Sequence, residues 1–359
     1  MPSNSIKGHA FEYFVRELLL ACGFTKVLPD DKIIYKNSTG TMIHGLGQPH
    51  NADVLVSPPI QIPFYFPTRL LIECKCYSDT LGLTFARNVL GLREDINGFE
   101  IVTQDILDKR KNYRRQIATL HSFERYLYQV ALASISGFKL TAIEYAITHR
   151  IPLISFTDSE IFASIRDFLN NADNIYGQLS EEEKRRVRDK CKAVSDEEYI
   201  QYVEYYIDET PIGRFNSFFA NVKDIADNIC LGVLENGTIL FLYKTENNRP
   251  ENDRRYNDGF ELHYTNEKRS NWYILTNEYK YEFELPLPLM QEWKMKTDEL
   301  EDEFLAKKQT LEFKNQRFPK ILLYETYIDE YSYTLETKIE VLNISKQFLS
   351  NAVNNENNE

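Results

Sequence analysis

The sequence predicts a mixed α/β fold for residues 1–158, a central sheet flanked by helices, followed by an α+β unit over residues 159–359. Three observations predict it. An amphipathic helical period opens the chain. Short strand patterns then alternate with helical ones, and the last two, "QVALASISGF" and "IPLISF", are continuous apolar runs of the kind found in parallel pairs covered on both faces. Beyond Thr157 the pattern turns to charged helices and aromatic-rich strands, without that alternation.

In order along the chain, residues 5–22 read as a helix, with Phe11, Phe14, Val15, Leu18, Leu19 and Cys22 at three- and four-residue spacing and Gly23 as its stop. Glu12 falls about 100° from Phe11, at the edge of the apolar stripe. Ile33-Ile34-Tyr35 is a short strand. Gly45, Gly47 and Pro49 mark a turn before a strand over 52–56, opened by Asp53 and closed by Pro58-Pro59. The next strand, 69–77, sends Ile72, Cys74 and Cys76 to one face and Leu71, Glu73 and Lys75 to the other. If these two strands are neighbours, Asp53 lies beside Glu73. Helices follow at about 84–97 and 115–128, then a strand at 129–138, a helix at 140–149 and a strand at 151–156.

In the second half, Ser180-Glu181-Glu182-Glu183 is a capping box opening a charged helix. A further helix is expected over 196–208, and a hairpin over 228–244 turning at Asn236-Gly237. Strands are expected between Phe260 and Glu284, one long charged helix over 289–313, and strands at 319–328 and 335–344. The tail, 351–359, is expected to be disordered. No internal repeat is visible.

Composition narrows the class. Of 359 residues 43% are hydrophobic, with 23 Tyr and 22 Phe, enough for a substantial core. No apolar run reaches membrane-spanning length, and Met1-Pro2-Ser3-Asn4 lacks a secretory pattern. Five cysteines without framework spacing suggest reduced thiols, and a cytoplasmic location is expected. The net charge of −12 is uneven. Residues 1–160 carry 17 Lys and Arg against 16 Asp and Glu, a net +1, so the remainder carries −13. The first part holds a basic run, Lys109, Arg110, Lys111, Arg114 and Arg115. Over a screening length of about 10 Å such a local field outweighs the global acidity, so a nucleic-acid partner is neither required nor excluded by charge.

Glu12 on the first helix, Asp53 at one strand and Glu73-x-Lys75 on the next form the chain's one chemical constellation. Read alone, Glu12 is equally a helix-surface partner of Arg16, and Glu73 and Lys75 a solvated pair. The segments "GHAFEYFVRELLLACGF", "NADVLV", "LIECKCY" and "SGFKLTAIEYAITHRIPLISF" resemble the PD-(D/E)xK nuclease superfamily, with its restriction-endonuclease-like fold, and in particular its Mrr-like branch. One departure is that Asp53 follows Asn51-Ala52 and no proline.

The resemblance covers residues 1–158 and implies a metal-dependent endonuclease of duplex DNA. It implies Mg as cofactor, with Mn as substitute, held by Asp53, Glu73 and the backbone carbonyl of Cys74, and Glu12 serving a second metal or its waters. Oxygen donors suit magnesium. Lys75 would act on the attacking water and the developing charge. It implies restriction or defence against foreign DNA as the setting. Two alternatives stay open: a repair or junction-processing nuclease, and a non-cleaving DNA-binding or assembly subunit.

The basic run is a candidate for phosphate contacts or a solvated loop. His50, close to Asp53, is a candidate for touching DNA or a structural turn residue. The other histidines have no ligand spacing for a competing site. Residues 159–359 are expected to serve target recognition, regulation or oligomerisation. A homodimer or larger assembly is expected, since no second catalytic set is present to cut a second strand, and a defence-system protein is a further possible partner. No membrane partner is expected.

Overall fold

The strand at 69–77 determines the first layer. A computed structural model describes residues 5–30, 33–37, 40–61, 66–99, 108, 111, 126–157, 160–192, 209–235, 238–248, 259–265, 271–298, 300, 303–328, 335–346 and 348. Within it, β6 (Thr68–Lys75) is the centre of a five-stranded sheet. Its even residues Leu70, Ile72 and Cys74 enter one core and Leu71 enters another, as alternation requires. The other strands are β1 (Thr25–Lys26), β5 (Val54–Ser57), β7 (Leu127–Ser134) and β8 (Leu153–Ser155), in the order β1-β5-β6-β7-β8. β1 with β5 and β5 with β6 run antiparallel, whereas β6, β7 and β8 run parallel.

On one face lies α1 (Ile6–Ala21), which buries Phe11, Phe14, Val15, Leu18 and Leu19. Its end is set by Gly23, left-handed at φ 84°. On the other face lie α2 (Leu83–Gly98) and α3 (Leu140–His149), covering Leu55, Leu71, Val130 and Leu132. Beside this layer β2 (Ile34–Asn37), β3 (Gly40–Ile43) and β4 (His50–Asn51) make a small antiparallel sheet.

The helix expected over 115–128 falls mostly outside the described residues, but its last two residues, Leu127 and Tyr128, are strand. Thr68 pairs with Leu127, so register with β6 claims them. The expected helix 196–208, the turn at Asn236-Gly237 and the tail lie outside the described residues.

The second half adds α4 (Ala163–Gly177), α5 (Glu181–Lys192) and α6 (Pro211–Asn228). The capping box is formed: Glu183 Oε2 accepts from the Ser180 N–H at 2.8 Å, and Ser180 Oγ accepts from the Glu183 N–H at 3.4 Å. A seven-stranded antiparallel sheet follows. Its strands are β9 (Ile229–Leu234), β10 (Ile239–Glu246), β11 (Glu261–Tyr264), β12 (Asn271–Leu275), β13 (Tyr279–Glu284), β14 (Lys320–Ile328) and β15 (Leu335–Asn343), ordered β11-β12-β13-β10-β9-β14-β15.

The single helix expected over 289–313 is two, α7 (Leu287–Thr297) and α8 (Glu303–Arg317). Trp293 and Phe313 belong to one core and stack at 6.5 Å. On a continuous helix they would stand ~30 Å apart, so the chain folds back. The Trp293 indole then donates to Thr310 Oγ1 at 3.0 Å.

Packing does not part at residue 158. The core around α1 takes in Phe156 together with Phe162, Phe168, Phe215, Phe218, Phe219 and Tyr324. Phe14 meets Phe162 edge-on at 5.6 Å, and Tyr13 meets Phe219 at 5.1 Å. Thr326 Oγ1 of β14 donates to the Ala21 carbonyl at the end of α1.

Candidate active site

Antiparallel register brings the first pair together. Val54 stands opposite Ile72, so one residue further Asp53 stands opposite Glu73. Asp53 precedes β5 directly, and its Oδ2 accepts the Cys74 N–H at 2.9 Å. Lys75 Nζ donates to Glu73 Oε2 at 2.8 Å and lies 3.6 Å from Asp53 Oδ2. Asn51 Nδ2 lies 3.4 Å from Asp53 Oδ1. The side chains are only partly accessible, 12% for Asp53, 18% for Glu73 and 25% for Lys75, so their charges interact through a medium less screening than water.

Glu12 comes from α1, on the other side of the sheet, and does not pair with Arg16. His9, one turn back, holds it at 3.3 Å, while Arg16 is buried and donates to Glu17 and to the Cys191 carbonyl. Glu12 is close enough to act on Asp53. Burial, then the negative charges of Glu73 and Glu12, push the Asp53 carboxyl up to about 7, against the opposing pull of Lys75 and the Cys74 N–H. Burial works against the Lys75 ammonium, but Asp53 and Glu73 outweigh it and hold its pKa above the ordinary lysine range. The Cys74 thiol faces the core, and burial, with Asp53, Glu12 and Glu73 adding to it, keeps it protonated. Only the backbone of Cys74 takes part in the site.

The donor set is oxygen, and the charge around Asp53 is short of cations. Both fit a hard divalent ion such as magnesium. The positions are not a finished cage. Among the described residues no three His, Cys, Asp or Glu side chains converge to hold an ion, and Lys75 sits against both Glu73 and Asp53. Binding would require Lys75 to give up at least one of these carboxylates.

The remaining candidates lie apart. His50 Nε2 is 2.6 Å from Asp95 Oδ2 of α2, and Asp95 Oδ1 accepts the Gly47 N–H at 3.0 Å. That pair closes the glycine turn over α2. Of the basic run, Lys111 is described and exposed, while Lys109, Arg110, Arg114 and Arg115 lie outside the described residues. His9 and Asn51 escaped sequence reasoning. The signal for His9 was present, a helical i,i+3 spacing to Glu12.

No protein-family model matches the chain, and no curated protein matches it. A solved structure of a protein of unknown function, AF1548, is 16% identical and covers 52% of this chain and 97% of that one, at a TM-score of 0.26. That likeness is too slight to carry an argument. No helix among the described residues is long and apolar enough to cross a membrane.

Proposed function

We propose that this chain is a metal-dependent endonuclease of duplex DNA, with a restriction-endonuclease-like core of the PD-(D/E)xK kind, serving restriction or defence against foreign DNA. The observation that carries the reading is the meeting of Asp53, Glu73 and Lys75 on adjoining strands of a mixed sheet, with Glu12 supplied by the helix packed on it.

Asp53, Glu73 and the Cys74 carbonyl would hold magnesium, with Glu12 at its periphery. When bound, the ion supplies Lewis acidity and neutralises charge on phosphoryl oxygens. The chain's own groups do the rest. The Cys74 N–H holds Asp53 Oδ2 and the Asn51 amide reaches Oδ1 at 3.4 Å, so the two orient the carboxylate. Glu73 fixes the Lys75 ammonium, which donates to the attacking water and to the charge growing on the phosphate. In the ion-free chain Asp53 and Glu73 hold Lys75 protonated, which places it there as a hydrogen-bond donor. His9 restrains Glu12 at the rim.

The test is incubation with methylated and unmethylated plasmid, with and without magnesium. Asp53→Ala and Glu73→Ala should fold and leave the plasmid intact. Lys75→Ala should bind magnesium at least as tightly by calorimetry, since the ammonium no longer competes for Asp53 and Glu73, while turnover drops ~100-fold or more. Wild-type cleavage by any of the three removes that residue from the mechanism, and wild-type cleavage in chelator ends the reading.

A further inference from the structure

Asp53 lies where two sheets join. β4 ends at Asn51 in the small antiparallel sheet, β5 begins at Val54 in the five-stranded one, and only Ala52 and Asp53 lie between. Among the described residues the two sheets share no ladder, so the direction of the Asp53 side chain depends on how the small sheet sits against the large one. Apolar packing of Ile34 and Ile43 in one core with Val89 and Ile96 of α2 brings them together. Such packing has no direction of its own, and an angle needs hydrogen bonds.

Those bonds meet at Asp95. Among the described residues, three run from the β3–β4 turn and β4 to α2, and all three end on Asp95. The Leu46 N–H donates to its carbonyl at 3.1 Å, the Gly47 N–H to Oδ1 at 3.0 Å and the His50 ring to Oδ2 at 2.6 Å. The His50 bond, helped by the Gly47 N–H against some desolvation, keeps the Asp95 carboxyl below its ordinary pKa, so Asp95 accepts and His50 Nε2 carries the hydrogen. Two residues on, the Asn97 amide donates to the Tyr128 carbonyl at 2.8 Å, and its Oδ1 accepts the Tyr128 N–H at 2.8 Å. Tyr128 belongs to β7, so one turn of α2 grips both sheets. The β3–β4 turn is fitted closely to this grip. A Cβ at Gly45 would collide with Asp95 Oδ2 and stand 3.0 Å from His50 Nε2, although the backbone there is not left-handed.

We infer that Asp95 is a positioning residue for Asp53, acting through His50 and Asn51. These two residues make up β4. With His50 held, Asn51 pairs with Met42 and brings its Nδ2 within 3.4 Å of Asp53 Oδ1, and the Ala52 N–H donates to the Thr41 carbonyl at 2.8 Å. From the large sheet the Cys74 N–H takes Oδ2 at 2.9 Å. Asp53 is thus oriented from both sheets at once, and Asp95 fixes one sheet relative to the other. A carboxylate oriented in this way meets an ion without first having to be ordered. The inference deepens the nuclease reading and rests on it for the chemical role of Asp53.

Amide exchange at Cys74, in chelator and without DNA, tests the positioning apart from that reading, because the Cys74 N–H donates to Asp53 itself. Asp95→Ala should speed exchange there about five- to tenfold, the weight of one lost hydrogen bond. Leu132, whose N–H donates to the Pro152 carbonyl at 3.0 Å toward the β8 edge, should keep its wild-type rate. Gly45→Ala retains both Asp95 and His50 yet pushes them apart, and should match Asp95→Ala. His50→Gln keeps a donor at the reach of Nε2 and should exchange as wild type. On plasmid, Asp95→Ala should lower kcat about tenfold or more and leave KM unchanged. A wild-type Cys74 rate in Asp95→Ala or Gly45→Ala overturns the inference. So does equal acceleration at Leu132, which marks general loosening, a His50→Gln variant as fast as Asp95→Ala, or a plasmid defect confined to KM.

Discussion

Asp53 sits where its charge is costly. Its ordinary pKa is 3.8, and in the folded chain burial, Glu73 and Glu12 raise it to about 7. Between these values the native chain holds a proton that the unfolded chain releases. Stability from this group is therefore complete below about pH 4, falls as pH rises through the window, and is level above about 7. Asp53→Asn should flatten that slope and, in chelator, raise stability at neutral pH by ~2–4 kcal/mol. Denaturant melts from pH 4 to 8 read this directly. A slope unchanged in the variant would place the missing charge balance elsewhere. Magnesium should lift the wild-type melting temperature at neutral pH and leave the Asn variant's unchanged.

At the scale of elements, register decided what spacing could not. Glu73 and Lys75 share a face by alternation alone, but their union with Asp53 depends on antiparallel pairing of β5 with β6. α4 and α6 were not read from the sequence, although Thr210-Pro211 is a helix-start signal and Thr210 Oγ1 accepts the Gly213 N–H at 3.1 Å. The fold-back between α7 and α8 left no glycine or proline to mark it; two aromatic side chains bound for one core enforce it. If the basic run binds phosphates, neutralising Lys109, Arg110, Lys111, Arg114 and Arg115 should weaken DNA binding for every sequence. The salt slope should flatten by about 0.9 for each phosphate no longer neutralised. Fluorescence anisotropy across a salt series measures it, and an unchanged slope places phosphate binding on another part of the surface.

Over the whole molecule, the helices of the second half complete the core of the first. Phe215 is fully buried on α6, edge-on to Phe168 at 5.0 Å, in the same core as Phe11 and Phe14. Phe215→Ala should cost ~3–5 kcal/mol. It should lower one shared unfolding transition, with helical signal and the α1-dependent site lost together. Two separate transitions, with the first half unaffected, would mean that the halves fold independently.

The sequence by itself determined the order of elements near the site, the face each strand residue takes, and the oxygen-donor chemistry of Asp53, Glu73 and Glu12. These follow from local period and residue type, which need no partner. Tertiary structure decided the rest. It gave Glu12 to His9 and not Arg16, gave His50 to Asp95, folded one expected helix into two, and ran a single core past residue 158. Each of these depends on which surfaces meet, and burial between segments far apart in the chain leaves no period in either one.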